Sequence, residues 1–482
     1  MKKAVIIGAS LDYAMELSIF DHTSSISPPL GALSVCSYLA DYHVPTELID
    51  VKMDFGVGLT EEANVEITNR VTHYLSEQAQ EIAWIGISQL SSDAYAIALA
   101  QAIHTALGDI PIILGGYAAT SACLTILEEN PFITAIVLGD GEYAALEISR
   151  AIADSRPFLT EQTPNLVWRD TAGVHTSPTR QVDLNTLPVL DFTLLKHHTS
   201  YPNIDIATSR GCPFRCNYCL EINMRPYAKF SPEWLDRQLA HIQTTLPNRR
   251  ISIYDPIFGL DANHTTQICD ILEKWDFRYC IESRVDVLSP EFMHRLAEVG
   301  VEVIYWGFES ASANTLVRMN KVPSPAKATS YIEQSFKVFE ACFRHGITPV
   351  IGYMFAYPGD SEADEMAALN YAKALRQLYD QTGTDTGFAL FPSATSVYEG
   401  SEMARLIQCE ELPEPDVTEA TYSLMEAFSK LDEWSDIATE RLLRYVVLPL
   451  KEFIERSPEQ IDGFGVFNLR EALVKNELMP NR

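Results

Sequence analysis

The stretch SRGCPFRCNYC, Ser209 to Cys219, carries three cysteines, with three and then two residues between them. The 482 residues hold nine cysteines in all, so a third of the thiols fall between Cys212 and Cys219. Three thiolates on one short loop make a metal-binding pattern. A structural zinc site is normally closed by four ligands. No fourth cysteine or histidine follows nearby, and His197 and His198 lie upstream and would have to fold back. Three thiolates instead suit a [4Fe–4S] cluster in which one iron stays open to a small chelating molecule. Cys36, Cys123, Cys269, Cys280, Cys342 and Cys409 stand scattered in apolar or amphipathic surroundings, and each reads as a small buried hydrophobe. A disulfide framework is not expected in so long a chain with no signal segment.

Such a loop must be held by a scaffold, and the chain shows two series of alternating strand and helix patterns. In the first, AVIIGAS (4–10), TELIDV (46–51), WIGISQL (84–90), IPIILGG (110–116) and AIVLGDG (135–141) are separated by helical periodicity, as in LGALSVCSYLADY (30–42). This predicts a doubly wound, Rossmann-like α/β sheet over 1–155, with ligands expected beyond the carboxyl ends of its strands. Residues 156–202 read as a linker with a hairpin around Thr171-Ala172-Gly173. The second series, over 203–400, runs through IDIATS (204–209), RISIYD (250–255), RYCIES (278–283), VEVIYWGFE (301–309), TPVIGYMFA (348–356) and TGFALFP (386–392). Six βα units suggest a partial (β/α)6 barrel, which places the cysteines at the strands' carboxyl ends, where barrels carry chemistry. Residues 401–482 read as a helical region that packs on the core or caps the barrel mouth; Tyr422, Trp434 and Tyr445 read there as ordinary helix residues.

A formal charge of −29 opposes binding to a phosphate backbone. No apolar run reaches the roughly 18 residues a membrane helix needs. Polar Ser10 and Asp12 interrupt the apolar start, so a first strand rather than a signal segment is expected, and with it a cytoplasmic protein.

CPFRCNYC resembles the CxxxCxxC motif of the radical SAM superfamily, with Tyr218 as the aromatic residue before the last cysteine. The resemblance implies that Cys212, Cys216 and Cys219 hold a [4Fe–4S] cluster whose open iron binds S-adenosylmethionine. In that family an electron from the cluster cleaves the sulfonium to methionine and a 5′-deoxyadenosyl radical, which takes hydrogen from a substrate. It also implies S-adenosylmethionine contacts from Glu309 in GFES, from Arg284 in IESRVD, and from Gly352 and Met354 in VIGYMFAYPGDSE. Where many relatives carry GGE, this chain has Asp255-Pro256; Asp255 is kept as a contact.

The amino-terminal half is similar to the cobalamin-binding domain that precedes many radical SAM enzymes, in residues 27–51, in GGYAA (115–119) and in LGDGE (138–142). That similarity points to Ser10, Leu30, Gly31, Ser88, Gln89, Gly115, Gly116, Tyr117, Gly139, Gly141 and Glu142 as cobalamin contacts. The DxHxxG motif of other cobalamin proteins is absent, and His22 after Asp21 reads as a surface loop residue.

With cobalamin, the implied reaction is methyl transfer to an unactivated carbon of a small metabolite or natural-product precursor. Without it, radical dehydration, epimerisation or rearrangement is implied. Two other classes compete. Methylthiolation of tRNA usually brings a basic module that this acidic chain lacks. A non-catalytic iron–sulfur electron carrier would not cleave S-adenosylmethionine. Flavodoxin or ferredoxin is the reductant the family implies.

Overall fold

The computed structural model describes residues 2–9, 28–56, 61–89, 95–201, 203–247, 249–433, 435, 437, 438 and 441. The first series folds into β1 (Lys3–Gly8), β2 (Thr46–Asp50), β3 (Ile82–Ser88), β4 (Ile112–Gly115) and β5 (Ala135–Val137). They pair in parallel in the order β2-β1-β3-β4-β5. Alternate residues serve opposite helical layers. Ala4 and Ile6 face Leu33 and Leu39 of the helix Leu30–Asp41, whereas Val5 and Ile7 face Val71 and Leu99. Burial on both faces explains why these strands read as continuous apolar runs.

The predicted hairpin is part of this sheet rather than a separate linker feature. Strands β6 (Leu166–Asp170) and β7 (Gly173–Thr176) add antiparallel beside β5 and bury Leu166, Val167 and Trp168 on the sheet's edge. After it, Val182, Leu184, Leu187, Leu190, Phe192 and Leu195 are all buried in one core that runs from Ala4 and Ile6 to Ile204 and Ile251. Gln238 fixes this strap: its Oε1 accepts from Leu190 N at 2.6 Å and its Nε2 donates to Leu190 O at 3.2 Å.

The second series begins with β8 (Asn203–Ile206). A short pair, β9 (Ser209–Arg210) and β10 (Ala228–Lys229), brackets the cysteine loop. Then come β11 (Arg250–Ile253), β12 (Arg278–Ser283), β13 (Val301–Glu309), β14 (Thr348–Phe355) and β15 (Ala389–Ala394). The six long strands are parallel and ordered β15-β14-β13-β12-β11-β8, an open barrel wall with helices outside.

The described part of the carboxy-terminal region does not form one cap over the mouth. The helix Glu402–Gln408 lies at the mouth, where Met403 N donates to Asn217 O at 2.7 Å. Farther on, Phe388 and Glu433 exchange backbone hydrogen bonds, and Arg441 Nη1 donates to Gly346 O at 2.6 Å. Those contacts are at the strands' amino ends, so this part closes the barrel floor. Tyr422 is exposed, and Trp434 and Tyr445 lie outside the described residues. Among the described residues no helix is long and apolar enough to cross a membrane.

Candidate cluster and cofactor site

Several elements fix the cysteine loop. Asp255, just past β11 and buried, accepts from Thr208 N at 2.6 Å, Thr208 Oγ1 at 2.5 Å and Ser209 N at 2.9 Å. Its carboxylate therefore shapes the entry to the loop. Gly211 has φ +79°, and a Cβ there would stand 2.6 Å from the carbonyl oxygens of both Arg225 and Pro226, so only glycine fits. Asn217 is a hub. Its N donates to Met319 O at 3.0 Å, its Nδ2 to Arg318 O at 2.8 Å, and its Oδ1 accepts from Tyr357 at 2.6 Å. The Arg284 guanidinium stacks 3.8 Å above the Phe214 ring and points Nη1 at Cys216 Sγ, 3.6 Å away.

All nine cysteines carry free thiols. Burial pushes the Cys219 thiol up to about 12, and the neighbouring Cys216 and Cys212 add to this. Three thiolates crowded together in a buried loop call for a positive centre among them. Glu221 N donates to Cys219 Sγ at 3.4 Å, and Arg284 offers a cation to Cys216. Thiolate sulfurs with donors aimed at them fit a cubane cluster. Among the described residues no three His, Cys, Asp or Glu side chains form a site for a single metal ion.

The residues assigned to S-adenosylmethionine divide into two groups. Tyr218, Glu309 and Met354 gather beside the loop, whereas Gly352, two residues before Met354 on β14, lies against Tyr305 and the carbonyl oxygen of Trp306. Met354 and Tyr218 border one apolar cluster with Met319, Tyr357 and Met403. Glu309 has φ +72°, at an irregularity between Gly307 and Glu309 in the pairing of β13 with β14. A Cβ on Gly307 would sit 2.8 Å from Glu309 Oε1, so that glycine leaves room for the carboxylate. Strained backbone of this kind persists where the surroundings enforce it. Asp255 and Arg284 face other partners: Asp255 the loop entry, and Arg284 both Asp286, at 2.9 Å, and Lys321 O, at 2.9 Å. Arg284 and Glu309 do not pair with each other. Glu309 pairs with Lys321, whose Nζ donates to Glu309 Oε1 at 3.1 Å and to Tyr218 OH at 3.3 Å.

Beyond the carboxyl ends of the first sheet lies a cavity of about 460 Å³. Leu30, Gly31, Ser88, Gly115, Gly116, Tyr117, Gly139, Gly141 and Glu142 all line it. Gln89 stands behind, donating N–H to Gly115 O at 2.8 Å, and Ser10 and His22 lie outside the described residues. The glycines differ in purpose. At Gly116 (φ +101°) a Cβ would strike Gln89 O at 2.4 Å, and at Gly139 (φ +65°) Met224 O at 2.6 Å, so these serve the backbone. At Gly31 a Cβ would meet nothing within 4 Å, and at Gly115 only Val137 O at 3.9 Å. Those two keep the cavity open. Ile6, Ala9, Pro29 and Val137 give it apolar walls suited to a broad, flat macrocycle, and Asp205, Ser209, Arg210 and Tyr254 of the second series close its far side.

Residues 206–372 match the model of the Radical SAM superfamily. The chain carries a radical SAM domain. The match encloses all three loop cysteines, and a radical SAM domain implies a [4Fe–4S] cluster and S-adenosylmethionine. An uncharacterized methyltransferase of Pyrococcus horikoshii is 24% identical over 391 residues, covering 78% of this chain and 77% of that protein. Among solved structures, the cobalamin-dependent S-adenosylmethionine radical enzyme OxsB, with aqua-cobalamin and S-adenosylmethionine bound, aligns with a TM-score of 0.66 at 18% identity. The alignment covers 85% of this chain and 61% of OxsB. The radical S-adenosylmethionine methyltransferase TsrM from Kitasatospora setae, with cobalamin and a [4Fe–4S] cluster bound, aligns at 0.64 and 15% identity, over 85% of this chain and 78% of TsrM. At such identities the likeness is one of fold.

Sequence reading missed Asn217, Lys321 and Arg210 as members of the site. Asn217 and Arg210 sit inside the quoted stretch, but their side-chain hydrogen-bond partners lie 68 to 176 residues away, beyond any local pattern. Lys321 is 12 residues from Glu309, across a helix and a turn.

Proposed function

We propose that this radical SAM enzyme transfers a methyl group to an unactivated carbon of a small metabolite or natural-product precursor, with cobalamin in the first-sheet cavity. One observation carries the reading: a single cavity borders both the strand-end glycines of the first sheet and the residues that lead into the cysteine loop. A ligand on the first sheet would thus lie against the cluster site. The name of the Pyrococcus horikoshii relative, and the cobalamin held by OxsB and TsrM, support the same choice.

Cobalamin, when bound, supplies a cobalt that accepts a methyl group and passes it on. The chain's part is to hold and orient. Gly31 and Gly115 leave space, and Cys212, Cys216 and Cys219 hold the cluster. Glu309, steadied by Lys321, offers a carboxylate to the polar groups of S-adenosylmethionine, while Met354 forms an apolar floor beside it, with Gly352 two residues earlier on the same strand. Asp255 and Arg284 act as positioning residues for the loop.

The test is to make the protein anaerobically in cells supplied with cobalamin and to measure cobalt and iron together. About one cobalt per four irons is expected, followed by formation of 5′-deoxyadenosine and S-adenosylhomocysteine when S-adenosylmethionine and a reductant are added. Cys216→Ala should abolish cleavage. Iron without cobalt would replace methyl transfer with dehydration or rearrangement. Cleavage that survives Cys216→Ala would sink the cluster assignment.

A further inference from the structure

Four charged side chains meet where the first sheet touches the cysteine loop. Arg210 stands two residues before Cys212. Its Nη1 donates to Asp140 Oδ1 at 3.0 Å and Glu142 Oε1 at 2.9 Å, and its Nη2 donates to Ser34 Oγ at 2.9 Å. Arg225, on the far side of the loop, also donates to Asp140 and, through Nη2, to Val182 O at 3.1 Å. Ser34, Asp140 and Glu142 belong to the first sheet's layer, and both arginines belong to the segment that carries the cluster ligands.

Glu142 is 2% exposed and lines the cavity. Its Oε1 accepts from Ser34 Oγ at 2.6 Å as well as from Arg210. Its Oε2 is buried and has no hydrogen-bond partner among the described residues. Burial opposes ionisation of this group, but the Arg210 guanidinium and the Ser34 hydroxyl outweigh it and hold the carboxyl below its usual range. A buried carboxylate oxygen with no donor is costly, and the residue that carries it lines the cavity.

We propose that Glu142 accepts an N–H donor of the cavity's occupant on Oε2 while Oε1 holds Arg210, so that the occupant positions the cysteine loop and the two cofactors bind cooperatively. This rests on the reading of the cavity as a cobalamin site, because the donors would be the primary amide side chains of the corrin. Arg210 is then a positioning residue between two sites. Such coupling is reciprocal: S-adenosylmethionine must tighten cobalamin by the same factor by which cobalamin tightens S-adenosylmethionine.

The experiment uses the full chain with its cluster reconstituted and no reductant, so that nothing turns over. Hydroxocobalamin is titrated by its visible absorption, with and without saturating S-adenosylmethionine. In the wild type, S-adenosylmethionine should tighten cobalamin by about fivefold or more. Arg210→Gln and Glu142→Gln should bring that ratio to about one while each ligand still binds; Arg210→Lys should restore part of it. Arg295→Gln, which breaks an exposed pair with Asp270 far from the cavity, should keep the wild-type ratio. A merely structural role would weaken both ligands and leave the ratio alone. A wild-type ratio of one, or an unchanged ratio in Arg210→Gln, overturns the relay but leaves the cobalamin reading intact. No cobalamin bound by the wild type overturns both. If Arg210→Gln does not fold, Glu142→Gln and Arg210→Lys decide.

Discussion

Tyr357 donates its hydroxyl hydrogen to Asn217 Oδ1 across 2.6 Å, joining the turn after β14 to the residue that follows the second loop cysteine. Both side chains are buried, at 1% and 3% exposure. Tyr357→Phe keeps the ring and leaves the amide oxygen without its donor, a cost of about 1–3 kcal/mol. We expect a lower denaturation midpoint and fewer irons retained per chain after reconstitution. Unchanged iron retention would show that the hub does not govern the loop.

Lys321 is buried and Glu309 partly so, and the two form an ion pair with side-chain exposures of 4% and 16%. Lys321→Met strands the carboxylate, and removing one partner of such a pair costs more than removing both. S-adenosylmethionine should bind about tenfold more weakly, which is about 1.4 kcal/mol, as read from the change it causes in the spectrum of the reduced cluster. The double change Lys321→Met with Glu309→Gln should be the more stable protein of the two. Equal stability would remove the pair from the account.

The two neighbouring glycines where β4 ends, Gly115 within it and Gly116 just past it, should respond in opposite ways. Gly115→Val adds bulk where only Val137 O is near, at 3.9 Å, so the chain should fold and cobalamin should be excluded. Gly116→Val forces a branched side chain onto φ +101° and into Gln89 O at 2.4 Å, so folding itself should suffer. A cobalamin-binding Gly115→Val protein would place the ligand elsewhere.

Asp255 supplies a pH signature. Burial, outweighing its hydrogen bonds from Thr208 and Ser209, raises its pKa from 3.8 to about 6. The folded state therefore holds this proton more tightly than the unfolded chain does. Its contribution is fully present below about pH 4 and is lost as pH rises through about 6, a change on the order of 3 kcal/mol. Asp255→Asn should flatten this slope in urea midpoints measured from about pH 4 to 7. A slope that persists in the variant would assign it to another buried acid, such as Glu282, which burial raises to about 7.

Both strand series could be read because parallel strands buried on two faces leave apolar runs of the right length, and the cysteine spacing is local chemistry. The hairpin was visible as a hairpin but not as an edge of the first sheet, since pairing partners leave no mark at short range. Tyr218, Glu309 and Met354 stand in short local motifs, and the structure sets them near one another through Lys321 and a shared apolar cluster. Lys321 stands in no such motif, because its meaning depends on a left-handed residue at the end of β13. The tail was left between two readings, core packing and a cap on the mouth, for a related reason. Its apolar face announces packing, and only the contacts of Arg441 and Glu433 say which end of the barrel receives it.

The strap from Val182 to Leu195 has an engineering consequence. Its six apolar side chains are shared property of the two sheets, so a cut at either end would leave one fragment with an oily seam and the other with an empty groove. Chimeras that exchange the first sheet for another should carry the strap and the Gln238 clasp together, and the graft point that respects both lies after Gln238 rather than at the visible boundary between the halves.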